Sequence, residues 1–242
     1  MTLVPHKNGF ALVMFLSTLP VLLILLLGVG ILGFAVTHTS FALNKGRQTS
    51  LQIQSFAADR LSALLSLNRR AYRLERQSEY IRKLEKSGIK LVPQLGISVS
   101  VYKASIIALQ LQLRGEQDFL KRTVSVYAQS QLRQMQSQLR GPLSMDPPKR
   151  FQLAVVPIHA NSIASPYQTA PQFERVQSLE LQFQFSIFDR LPKSIRDSWR
   201  EFGGEKMGTI HVQTAATLEE EKQKRGLSKW KPKLGRGKFS WN

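Results

Sequence analysis

Residues 7–36 read KNGFALVMFLSTLPVLLILLLGVGILGFAV, and the reading of this run decides the architecture. No charged side chain lies between Asn8 and Asn44, and Ser17 and Thr18 are the polar breaks within 10–36. As a helix, 10–36 would extend roughly 40 Å, against a bilayer hydrocarbon core of about 30 Å. The window 16–35 holds thirteen Leu, Ile, Val or Phe residues. Each is worth roughly −0.3 to −0.6 kcal/mol near the bilayer centre, which outweighs the cost of Pro20 and three glycines. A spanning helix is therefore expected. A removable secretory signal has an apolar run of about 7–15 residues closed by a small-x-small site. Here the run is much longer and ends in Val36-Thr37-His38.

Within that run, Gly28, Gly30 and Gly33 match G-x-G-x-x-G. A dinucleotide fingerprint needs a strand, a turn that offers backbone N–H groups to a pyrophosphate, and then a helix. The middle of an apolar span supplies none of these, so the motif is rejected. Lys7 flanks the span on one side and Lys45 and Arg47 on the other. Charge alone therefore leaves the orientation open.

The chain has 242 residues, 34 Lys and Arg against 16 Asp and Glu, and no cysteine. Its length suits an anchor and one modest domain. Without cysteine there is no disulfide framework, thiol chemistry or Cys-based zinc site. The net charge of +18 asks for an anionic partner: lipid head groups, nucleic acid or another acidic polymer.

Residues 44–86 are predicted to form one long helix. Ala57, Leu61, Leu64, Leu67, Ala71, Leu74, Ile81 and Leu84 recur at three- and four-residue steps, with Arg60, Arg69, Arg70, Arg73, Arg76, Arg82 and Lys83 on the other faces. Ser87-Gly88 would close it. A second helix is expected over 97–140, from Ile106, Leu109, Leu113, Leu120, Val124 and Tyr127, although Ile97, Val99 and Val101 alternate as a strand would. Gly141-Pro142 and Pro147-Pro148 then break the chain. Beyond them the period becomes two. Phe151, Leu153 and Val155, then Leu179, Leu181, Phe183, Phe185 and Ile187, and more weakly Ile210, Val212 and Thr214, predict three strands. A short helix is expected over 192–202. The fold class is thus α+β, with an N-terminal transmembrane helix running into a long helix, a second long helix and a small antiparallel sheet. The expected divisions are a short segment 1–8, the span 9–37, a helical hairpin 38–141, a β-rich subdomain 149–218 and a tail 219–242.

The tail carries Lys229, Lys231, Lys233, Arg236 and Lys238, interleaved with Trp230 and Trp241. Such a mixture grips anionic head groups or stacks on nucleobases; the plainer expectation is a solvated tail. Glu219-Glu220-Glu221 before Lys222 reads as a solvated helix face. His6, His38, His159 and His211 share no metal-ligand spacing, and no G-x-S-x-G elbow surrounds Ser162 or Ser165. No catalytic constellation, cofactor motif or metal site is found, and a non-enzyme is expected.

The glycine before the span, Ala11, the element Leu19-Pro20-Val21-Leu22-Leu23 and Gly33 resemble the N-terminal module of TadE/TadG-like proteins, minor pilin-like components of the Tad (Flp) pilus machinery. The stretch QSFAADRLSALL at 54–65 resembles the helix that follows the anchor in these proteins, so the likeness covers about residues 7–67. It implies a single-pass protein of the bacterial inner membrane with its C-terminal domain in the periplasm. It also implies partners among lipids, pilus or secretion-system proteins and other copies of the chain. Gly9-Phe10 has the outline of a prepilin processing boundary. Met14 would be the fifth residue after cleavage there, where prepilins carry glutamate. Retention of the anchor is therefore expected, with cleavage after Gly9 as the alternative. The second functional reading is a tethered module that binds an anionic polymer such as DNA through its basic helix and tail.

Overall fold

The computed structural model describes residues 7–87, 93–139, 144–145, 151–186, 193–194, 196–197, 201, 209–222, 228–236 and 238–241. Three long helices come first: α1 (Lys7–Ser66), α2 (Asn68–Lys86) and α3 (Pro93–Leu139). They are followed by β1 (Ser144–Met145), β2 (Val155–Pro157), β3 (Tyr167–Thr169), α4 (Phe173–Val176), β4 (Leu179–Ser186), β5 (Thr209–Lys222), β6 (Ser228–Leu234) and β7 (Lys238–Trp241). The fold is α+β, with an N-terminal apolar helix, as the periodicities predict.

α1 has two halves with opposite surroundings. From Val13 to Gly30 its side chains are exposed; Val21, Ile24, Leu25, Leu27 and Val29 each keep at least 60% of their surface, and Ile31 is the first to pack against the core. Its core begins at Ala35 and proceeds through Ala42, Ile53, Ala57, Leu61 and Leu64, all buried. Pro20 lies inside the exposed half without ending the helix. The Ser17 and Thr18 hydroxyls donate to the Met14 carbonyl at 2.9 and 3.0 Å, so these polar groups are satisfied within the helix.

At Leu67 the helix tightens for one turn, with Leu67 N–H donating to the Leu64 carbonyl and Arg70 N–H to that of Leu67. α2 continues beyond it, and α3 returns antiparallel to both. Phe56 stacks on Tyr127 (centroids 4.2 Å apart), Arg70 pairs with Glu116 at 3.1 Å, and Glu85 with Lys103 at 3.0 Å. As the first partner climbs the chain, the second descends it. Ile97, Val99 and Val101, whose alternation could signal a strand, lie in helix α3.

The main sheet has the order β1-β4-β5-β6, with β7 also pairing β5. All pairings are antiparallel, with Phe183 opposite Val212 and Glu220 opposite Trp230. One face buries Leu179, Leu181, Phe183, Ile210, Val212, Thr214, Ala216 and Leu218 against α1; Glu180 and Gln182 point to solvent. Gly46 is where helix and sheet come closest: a Cβ there would lie 2.9 Å from the Phe183 ring and 3.0 Å from Thr214 Oγ1. Eight residues on, Gln54 Nε2 donates to the carbonyls of Gln177 (2.5 Å) and Ala216 (3.0 Å). Gln177 Oε1 in turn accepts from Ala154 N–H at 2.9 Å.

Several expectations are corrected. Phe151 and Leu153 are buried but not in a strand, and β2 leaves the main sheet to pair with β3 in a separate ribbon. Three residues of pairing suffice there because the ribbon is pinned to the hairpin, through Asn68 and through Gln117 Nε2, which donates to the Ser165 carbonyl at 3.0 Å. The segment expected to be weakest, Ile210 to Thr214, belongs to the longest strand. β5 runs on through Glu219-Glu220-Glu221, which are therefore strand residues rather than a helix face. The expected solvated tail forms β6 and β7, which lie end to end along one edge of β5. Leu234 pairs with Ala216 and Lys238 with Gln213, so β6–β7 has one more residue than the facing stretch of β5. This is a bulge, and Gly235, whose N–H donates to the Ala215 carbonyl at 2.8 Å, gives it room. Among the described residues the sheet therefore has five strands where about three were expected. The expected helix over 192–202 falls largely outside the described residues; Lys193, Ser194, Arg196, Asp197 and Glu201 are helical. Gly88, the breaks at Gly141-Pro142 and Pro147-Pro148, His6 and Ile187 also lie outside them.

Candidate functional site

Helix α1 positions the first candidate surface. Leu19, Pro20, Val21, Leu22 and Leu23, the proposed anchor element, lie in its exposed apolar half. Gly9 and Phe10 are in the first turn of the same helix, which is continuous across the candidate processing boundary. Two helical stretches, Val13–Lys86 and Gly96–Leu139, are long and apolar enough to cross a membrane by length and composition. Packing separates them. α3 buries Ile106, Leu113, Val124, Ala128, Leu132, Met135 and Leu139 against its neighbours, whereas residues 13–30 of α1 are exposed throughout. Leaving one Leu, Ile or Phe out of an apolar environment forfeits about 1.5–3 kcal/mol. The uncovered half of α1 is thus long and apolar enough to cross a membrane, and no described part of the chain covers residues 13–30.

α3 presents a second exposed apolar row. Ile97, Val101, Leu111, Phe119 and Val126 are each more than half exposed, and they share one face with Ala104, Ala108 and Gly115. Steps of three and four residues align Ile97 to Phe119 over roughly 33 Å, with Asp118 at the margin of the row, and Val126 lies two turns further on, past Arg122. A Cβ on Gly115 would meet nothing within 4 Å, so no internal packing calls for that glycine. A mid-helix glycine costs about 1 kcal/mol relative to alanine, and close approach by an outside helix would use the space it leaves.

The C-terminal basic residues do not converge on one free surface. Trp230 is 9% exposed and packs on Phe173 with ring centroids 4.5 Å apart, so its ring is a core element rather than a stacking platform. Lys231 pairs with Glu221 at 2.7 Å and Lys233 with Glu219 at 2.6 Å, each diagonally across β5 and β6. Lys229, Arg236 and Lys238 are exposed, and Trp241 is placed by its backbone opposite Ile210.

Among the described residues, no group of three or more His, Asp or Glu is placed to hold a metal ion. His159 Nε2 lies 3.7 Å from Glu75, His38 packs on Phe34, and His211 is half-buried in β5 opposite Gln184. The pKa of Lys121 does depart from the ordinary lysine value. Burial works to lower it, but hydrogen bonds to Asp118 (2.8 Å) and to the Tyr167 hydroxyl (2.9 Å) outweigh burial and hold it above that value. This cluster fastens the β2–β3 ribbon to α3.

Sequence reading did not find Gly46, Gln54 or Asn68, which fix the sheet and ribbon on the helices. Compared with known proteins, the chain matches no family model, no curated protein and no solved structure.

Proposed function

We propose that this protein is a non-enzymatic, single-pass membrane component with pilin-like organisation, acting in the assembly or anchoring of a Tad/Flp-type pilus or secretion apparatus. One observation carries the reading: a single helix is bare and apolar over 13–30, and from Ile31 and Ala35 onward one of its faces is packed into the core. That division suits a subunit held by its N-terminal half in a bilayer while the other half organises a domain at the surface. The resemblance of residues 7–67 to TadE/TadG-like proteins supports a bacterial inner-membrane location with the domain in the periplasm. The exposed row on α3 supports contact with partner subunits, including a second copy.

Membrane association is tested by fractionation. The full chain should resist extraction by high salt and alkaline carbonate and be released by detergent. Release by carbonate alone would contradict the span. The periplasmic reading is tested with the single thiol of Ser78→Cys, since the chain has no cysteine of its own. It should react with a membrane-impermeant maleimide once the outer membrane is opened. Reaction only after the inner membrane is permeabilised would overturn it.

A further inference from the structure

Helix α2 contains Arg69, Arg70, Arg73, Arg76, Arg82, Lys83 and Lys86 against Glu75, Glu79 and Glu85. The structure divides these charges. Arg70 is taken up by Glu116, Glu85 by Lys103, and Glu75 lies against His159 and Ser162. The remaining cations are exposed, and none has an ion-pair partner among the described residues. Arg69, Arg73, Arg76 and Lys83 fall in one row with Tyr80, at steps of four and three residues. The row is opposite the buried face formed by Ala71, Leu74 and Ile81, and so points away from α3. It runs roughly 21 Å along the helix. Tyr72 and Tyr80 stand beside these cations, 42% and 60% exposed, without a ring contact or hydrogen bond among the described residues. Glu79 is the one carboxylate at the margin of the row.

We infer that this face of α2 is a binding site for a single-stranded nucleic acid. A row of cations in helical register matches a linear phosphodiester chain, which carries its charges at regular short intervals. Two exposed tyrosines beside the row provide flat apolar faces on which unpaired bases stack, a contact insensitive to sequence. Because α2 is backed by α3, one side of it is open to such a chain, and it is the exposed tyrosines that favour unpaired bases over a duplex, whose bases are already stacked. The site lies past residue 66, well beyond the apolar span, and does not depend on α1 crossing a bilayer. The β6 lysines are weaker candidates, because Lys231 and Lys233 already hold carboxylates.

The test uses the full chain in non-ionic detergent and a fluorescein-labelled 20-nucleotide DNA strand of mixed sequence, read by anisotropy. Four phosphate contacts should weaken binding about 50-fold between 50 and 200 mM salt, from a log–log slope near −0.7 per contact on a single strand. The variant R69Q/R73Q/R76Q/K83Q should bind at least about tenfold more weakly at low salt and lose most of that slope. The variant K229Q/K231Q/K233Q should bind within about threefold of the unchanged chain. Y72A/Y80A should weaken the DNA strand but leave inorganic polyphosphate unaffected, since only bases stack. Circular dichroism checks that each variant keeps its helix content. Absence of binding at 50 mM salt, or an unchanged affinity in the Arg/Lys variant, would overturn the site. Polyphosphate or anionic vesicles competing as well as DNA, with the tyrosines without effect, would overturn the nucleic-acid assignment.

Discussion

Asn68 and Tyr167 pair as two strands would: the Asn68 amide donates to the Tyr167 carbonyl at 2.7 Å and accepts from the Tyr167 N–H at 2.8 Å. One side chain at the first position of α2 thereby replaces a missing neighbour for β3. It ties the joint between α1 and α2 to a ribbon 99 residues away in sequence. Asn68→Leu would leave both backbone groups without partners, at about 1–3 kcal/mol each where they are shielded from water. Asn68→Asp keeps an acceptor and loses the donor, so it should fall between. Denaturant unfolding in detergent measures the cost, and hydrogen exchange at the Tyr167 amide localises it. Unchanged protection of that amide in Asn68→Leu would contradict the clamp.

Gly46 provides a second contrast. Gly46→Ala pushes a methyl group into the Phe183 ring and Thr214 and should destabilise the domain by about 1–3 kcal/mol. Gly28→Ala and Gly30→Ala meet nothing within 4 Å and should leave unfolding unchanged or slightly improved. The Thr214 hydroxyl at the same contact is buried without a hydrogen-bond partner among the described residues. Thr214→Val removes it at nearly constant shape and should stabilise the sheet by about 1 kcal/mol. Thermal melts of the four variants in one detergent decide all three points.

Lys121 sets a pH expectation. Its pKa is raised in the folded chain, so its contribution is complete below the unfolded lysine value of about 10.4 and is lost as pH climbs through the folded value. The difference in melting temperature between the unchanged chain and Lys121→Met should be flat from about pH 6 to 9 and shrink above about pH 10. A difference that instead grows from pH 9 to 11 would show that Asp118 and Tyr167 do not hold the ammonium.

The exposed row of α3 is tested by charge. Leu111→Glu and Phe119→Glu alter side chains that are 56% and 62% exposed. Each should change stability by no more than about 0.5 kcal/mol. Both should abolish cross-linking between a thiol placed at Ala108 and partner subunits in the membrane. Retained cross-linking would remove this row from the assembly surface.

The fold was legible wherever a residue's environment is set by its near neighbours in sequence. The apolar run at 10–36, the stripe through Leu61 and Leu74, and the alternation from Leu179 to Phe185 each repeat a local period, and each forms the element that the period implies. The end of the chain was misread although its pattern was present. Lys229, Trp230, Lys231, Pro232, Lys233 and Leu234 alternate as a strand does, and the acidic run Glu219–Glu221 lies across from it. Read singly, the first is a basic tail and the second a helix face; only the pairing of the two explains both. Pro232 is tolerated because β6 lies at the edge of the sheet among the described strands.

The candidate surfaces were legible in part. Basic residues on α2 stand out in composition, but which of them are already neutralised depends on Glu116 and Lys103 of another helix. Trp230 looked like a surface aromatic until its contact with Phe173 buried it. Gln54 and Asn68 carry no local signature at all. Their partners are backbone groups far along the chain, which periodicity cannot report.

The central claim is that α1 is divided near Ala35 into a lipid-facing half and a half that carries the domain. Single cysteines placed one at a time from Val13 to Lys45, in the full chain in native membranes, test it through their reaction with a small water-soluble maleimide. The expected result is an unreactive block over 13–34, with reactivity returning at exposed positions such as Ser40. Uniform reactivity along the whole stretch would mean that water, not lipid, surrounds the helix, and would contradict the claim.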